Sequence, residues 1–286
     1  MAQTDADSFG KLFREGLRDA GFVEGRNISI DIRSANGNAA ALPSLAAELV
    51  RQHVDIIVAV YTPCARAAKE ATSEIPIVAT VVADPIGTGL VASLSQPGGN
   101  VTGLSNMAPE TAAKSVELFR DIIPSLSRVG LLANPADPFT RPLLQHVELA
   151  GRSTGVEIMP VMARGADEVE AAFAALDNAR VQAVVVQGIF FPTTIADLAI
   201  KHRLPSASVL PSFPRSGGLM SYGADIPHLF QHTATYVQKI LQGARPADLP
   251  VEQPTKFNLT INLKTAKAIG LAIPDTFVLR ADEVIE

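Results

Sequence analysis

Three patterns in this sequence could do chemistry. Cys64 follows Thr62-Pro63 at the start of an expected helix. A helix N-terminus lowers a thiol pKa and favours a nucleophile. The plainer reading is a small buried wall residue, and no histidine is marked as its partner. His228 and His232 stand four residues apart on an expected helix, a spacing that could hold zinc. Leu229-Phe230-Gln231 between them lacks the glutamate of a zinc peptidase, and no third ligand is suggested. Two partly exposed histidines are therefore expected, and no metal. Gly87-Thr88-Gly89-Leu90-Val91-Ala92 fits the loose dinucleotide fingerprint G-x-G-x-x-A between a strand and a helix. Its strand is not the first of its unit, Asp84-Pro85 intervenes, and no acidic residue stands at a strand end about twenty residues on. A tight turn is expected there, with no cofactor.

These residues hang on a repeated grammar. Val78 to Ala83 is an apolar, β-branched run that stops at Asp84-Pro85, and Gly87-Thr88-Gly89 then opens an apolar stretch. That reads as a buried strand feeding a loop at the carboxyl end of a parallel sheet, where open α/β sheets bind ligands. Strands are expected over 28–33, 55–61, 76–83, 101–104, 128–133, 156–161, 181–187, 206–209, 218–222 and 257–263. Helices are expected from Phe9 to Ala20 and over 42–53, 88–94, 109–123, 139–154, 167–178, 193–202, 226–241 and 265–269. Strands alternating with helices of this length specify parallel sheets built from βαβ units. The strands are too many for one such unit, so two α/β lobes are expected, each a doubly wound parallel sheet. The strand ends carry Tyr61, Thr62 and Pro63, Asp84 and Pro85, Ser105 and Asn106, Asn134 and Pro135, Gln187, Gly188 and Phe190, and Tyr222 and Gly223. Aromatic faces beside neutral hydrogen-bonding groups suit a small zwitterion or carboxylate. The pattern holds a small molecule rather than transforming it.

Composition agrees. The chain has 286 residues, 47% hydrophobic and 19% charged, which is ample for a sizeable core. Its net charge is −5 and no Lys/Arg-rich run is present, so a nucleic-acid partner is not expected. A single cysteine excludes an internal disulfide framework and leaves the compartment open.

The chain resembles the bacterial ABC-transporter substrate-binding proteins of the tryptophan/tyrosine-binding (TrpX-like) type. The similar stretches are 13–18 with 25–28, then 45–50, 83–87, 96–103, 131–135, 217–223, 247–254 and 281–285, in order along nearly the whole length. The resemblance implies a type I periplasmic-binding-protein fold, with lobe one at 1–107 plus 225–256 and lobe two at 108–224 plus 257–286. It implies that the lobes close on a ligand like a hinge, with the strand-end residues named above lining the cleft. It also implies a monomer that hands a small amino acid or aromatic carboxylate to an ABC permease in the periplasm.

One departure bears on location. Members of the family begin with a secretory or lipoprotein signal and then an apolar first strand. Here Met1 to Ser8 is polar and acidic, so the first strand of lobe one is expected to be missing and the natural product to be longer. Read literally, the start would make the protein cytoplasmic. Two other functions share the architecture. A ligand-sensing regulator would need a DNA-binding headpiece, which nothing here resembles. A doubly wound enzyme would need convergent titratable groups, and Asp84 is the one acidic strand-end candidate. Asp before Pro after a strand is more simply a loop cap.

Overall fold

The computed structural model describes residues 3–190 and 192–286, with side chains from Phe9 onward. The chain divides into two units, Met1–Asn106 with Asp225–Pro254, and Met107–Ala224 with Thr255–Glu286. The first stretch runs α1 (Gln3–Asp19), a 3-10 turn (Ala39–Ala41), α2 (Leu42–Arg51), β1 (Ile57–Val60), α3 (Thr62–Ala71), β2 (Ile77–Val82) and β3 (Val101–Ser105). The second runs α4 (Ala108–Ile122), β4 (Arg128–Ala133), α5 (Thr140–Thr154), β5 (Glu157–Met162), α6 (Ala166–Asn178), β6 (Ala183–Val186), α7 (Pro192–Lys201), β7 (Ser206–Ser208), α8 (Ser212–Arg215) and β8 (Met220–Ala224). The chain returns to unit 1 as α9 (Ile226–Leu241). It finishes in unit 2 with β9 (Phe257–Asn262), α10 (Leu263–Ile269), α11 (Asp275–Val278) and β10 (Glu283–Ile285).

Unit 1 has a parallel sheet of order β1-β2-β3. Every residue of β2 and β3 is buried, as two-sided cover requires. Ile57, Ala59, Ile77, Ala79, Val82 and Val101 share one core with Ala65 and Ala68 of α3. Helix α9 packs on β2, where the Thr233 hydroxyl donates to Thr80 Oγ1 at 2.9 Å inside the core. Gly16 lets α1 approach α9: a Cβ there would lie 2.3 Å from the carbonyl oxygen of Gln231.

Two sequence expectations fail in this unit. The alternating Ile28-Ser29-Ile30-Asp31-Ile32-Arg33 is not a strand. Alternation supplies a strand's side chains, but a strand also needs a ladder partner, and the segment makes one isolated bridge, Glu24 to Ile28. Ile32 is left 58% exposed. The stretch 88–94 is a series of turns, not a helix. Asp84 Oδ1 accepts from Gly87 N–H at 2.8 Å, Asp84 O accepts from Thr88 N–H, and Gly89 sits at φ +73°. Leu90 and Val91 are apolar because they plug the unit 1 core, not because they line a helix face.

Unit 2 holds a seven-stranded sheet of order β10-β9-β8-β7-β6-β4-β5. It is parallel except that β9 runs antiparallel to β8. β6 is buried throughout and β4 beyond its first residue. Phe173, Leu176, Ile195, Leu204 and Phe213 cover one face. Truncating such a phenylalanine costs about 3–5 kcal/mol. The short β10, α8 and α11 escape a pattern search because three or four residues cannot establish a period.

Candidate functional site

In unit 1 the three strands end side by side. Tyr61 N–H donates to Thr80 O, and Asn106 N–H donates to Val82 O, so the ladder brings Tyr61, Asp84 and Asn106 to one edge. Backbone φ is positive at Tyr61 (+69°) and Asp84 (+34°), and again at Met107 (+50°) just past β3. Non-glycine residues held in that region store strain, and such strain clusters at ligand sites. Thr62 and Pro63 open α3, with Thr62 buried and its Oγ1 accepting from Ala83 N–H at 2.9 Å. Pro85 and Ser105 are buried too, and Ser105 N–H donates to Glu252 O. Asp84 behaves as a loop cap through its bond from Gly87.

Unit 2 brings a second group together. The side chain of Gln187, at the end of β6, reaches across to the end of β4. There its Oε1 accepts from Asn134 N–H at 2.7 Å. Asn134 is engaged locally: its Oδ1 accepts from Ala136 N–H and its Nδ2 donates to Arg164 O. Pro135 is exposed in the same turn. Asp137 completes it, accepting from Phe139 N–H, and burial holds its carboxyl above the usual range. Thr140, the first residue of α5, lies 3.2 Å from Gln187 Oε1. Sequence reading passed over Asp137 and Thr140. Both are helix-start residue types just after Asn134-Pro135, which was the available signal.

The other expected residues of unit 2 make contacts of their own. Phe190 packs partly against the unit 2 core. Gly188 accommodates Leu210, whose Cγ would lie 2.9 Å from a Cβ. Tyr222 and Gly223 lie inside β8, one and two residues beyond its last pair with β7, Ser208 to Ser221. The Tyr222 ring stacks on Phe257 of β9, centroids 6.0 Å apart. Strand β7 separates β8 from β6.

The model of the family "ABC transporter substrate binding protein" matches residues 5–285. The chain belongs to that family. A tyrosine-binding protein of Clostridioides difficile (strain R20291) is 28% identical over 276 residues, 93% of this chain and 77% of the relative. Among solved structures, a conserved domain protein of Vibrio cholerae O1 biovar eltor is 30% identical. Its TM-score is 0.91, over 97% of this chain and 94% of that one. An ABC domain of Streptococcus pneumonia in complex with L-Trp is 26% identical, with a TM-score of 0.87 over 97% and 96%. The fold is that of the type I periplasmic binding proteins.

The Cys64 thiol is pushed up by burial beside the unit 1 core, the opposite of nucleophile activation. The glycines at 87 and 89 lie within a turn, so no helix N-terminus stands there to receive a pyrophosphate. His228 and His232 stack in parallel at 5.7 Å, and His232 Nε2 lies 2.9 Å from Glu252 Oε2. Among the described residues no group of three or more His, Cys, Asp or Glu side chains could hold a metal ion. Among them, too, no helix is long and apolar enough to cross a membrane.

Proposed function

We propose that this substrate-binding protein captures an amino acid or an aromatic carboxylate outside the cytoplasmic membrane, acts as a monomer without chemistry, and delivers the ligand to an ABC permease. The observation that carries the reading is the family match over residues 5–285, joined by relatives described as tyrosine-binding and as bound to L-Trp. Residues at and near the strand ends supply the chemistry such a ligand wants. In unit 1 these are Tyr61, Thr62, Pro63, Asp84, Pro85, Ser105 and Asn106. In unit 2 they are Asn134, Pro135, Gln187, Gly188, Phe190, Tyr222 and Gly223. Aromatic faces take a ring, and neutral donors take an acid.

A thermal-shift screen tests the reading. The panel is L-tyrosine, L-tryptophan, L-phenylalanine, phenylacetate and indole-3-acetate. A ligand that binds only the folded state at 100 times its Kd adds about 2.7 kcal/mol. At least one compound is expected to raise the melting temperature by several degrees. A flat response across the panel contradicts the ligand class.

A further inference from the structure

Gln187 is 3% exposed, and its side-chain amide is only half satisfied. Oε1 accepts from the backbone N–H of Asn134 at 2.7 Å, with the Thr140 hydroxyl 3.2 Å away. Nε2 is buried and has no hydrogen-bond partner among the described residues. Turning the amide over does not help, because Nε2 would then face the Asn134 N–H, donor against donor. The neighbours are fixed as well. Asn134 is tied to Ala136 and Arg164, and the Thr140 hydroxyl also donates to Asn134 O. A buried donor without an acceptor is unfavourable and is rarely kept without a use. This one stands at the carboxyl end of β6, where open α/β sheets bind their ligands.

We propose that Gln187 is the group of unit 2 that reads the ligand's acid: its Nε2 donates to a carboxylate oxygen of the bound molecule, and Asn134 N–H and Thr140 position the amide. The assignment rests on the acid-receptor reading above and deepens it. It makes Gln187 a specificity residue, since Nε2 donates more strongly to the charged oxygen of a carboxylate than to the neutral oxygen of a carboxamide. Thr140 is a positioning residue acting through Gln187.

The test is titration calorimetry on the intact protein with two pairs of probes, L-tyrosine against L-tyrosinamide and L-tryptophan against L-tryptophanamide. Gln187→Glu keeps the oxygen that accepts from Asn134 and replaces the donor by a second acceptor. The acid is expected to bind at least 30-fold more weakly to this variant, and the amide to lose less than 3-fold. Thr140→Val is expected to weaken the acid by a smaller factor, with Thr140→Ser restoring it. A second readout needs no variant to fold at full strength. In the wild type, the side-chain NH2 resonances of Gln187 should move as the acid is titrated. Equal losses for acid and amide, or Gln187 resonances that stay put while the acid binds, overturn the assignment and leave the receptor reading intact. A wild type that binds none of the four probes nor any acid of the screen overturns both.

Discussion

Thr62 and Gln187 do one job in the two units. Each accepts from the first N–H past a neighbouring strand, Ala83 in one case and Asn134 in the other. Thr62→Val keeps the shape and leaves the Ala83 N–H buried and unpaired, which costs about 1–3 kcal/mol. Urea unfolding should show that loss for Thr62→Val and much less of it for Thr62→Ser; equal stability of the two would remove the bond's role. Tyr222→Ala is expected to weaken ligand binding by about 1–3 kcal/mol, the order of a buried aromatic contact. Its stability should change less, because among the described residues the ring's one aromatic partner is Phe257 and the side chain stays partly exposed. Intact binding with collapsed folding would make it a core residue instead. Glu252 adds a pH dependence. Burial alone would raise its carboxyl, but His232, 2.9 Å away, together with Tyr236 and Lys239, outweighs burial and holds it below the usual carboxylate value. A carboxyl depressed in the fold adds stability above its unfolded pKa of about 4.3 and loses it as pH falls through the lower folded value. Glu252→Gln should therefore flatten the acid limb of the stability profile below about pH 4.5; an unchanged limb would assign it to other carboxylates. Residue types were readable in the sequence, but not which of their atoms were already engaged. Asn134 is readable as a polar strand-end residue, but its bonds to Ala136 N–H and Arg164 O are not.

At the scale of elements, long β-branched runs were the legible part. Ile57–Val60, Ile77–Val82, Arg128–Ala133 and Ala183–Val186 all stand where the pattern puts them. Residues 28–33 were misread because period-two alternation reports side chains and says nothing of a pairing partner. Residues 88–94 were misread because Leu90 and Val91 are apolar for reasons of tertiary packing. The antiparallel β9 was hidden, since strand direction depends on the path of the chain. Hydrogen exchange should rank these elements. Three strands protect unit 1's sheet, with β1 at its edge, whereas β4 and β6 lie inside a seven-stranded sheet. Amides of 28–33 should exchange fastest, β1 next, and those near Val129 and Val185 slowest. Comparable protection of 28–33 and β4 would mean that the segment is paired in solution.

For the whole molecule, the organisation was legible because the βα grammar runs through two cycles, and the sequence resemblance is matched by the family model and by solved structures. The ligand was not, because the surroundings of single atoms such as Gln187 Nε2 exist only in the fold. The central claim is reversible capture of a small acid without turnover. Titration calorimetry of the intact chain with the best acid of the thermal screen tests it most directly, since binding and catalysis give different heats. The account predicts a saturable one-to-one isotherm in which each injection returns to baseline. A heat flow that persists after each injection, proportional to enzyme and decaying as the acid is consumed, would show chemistry and contradict it.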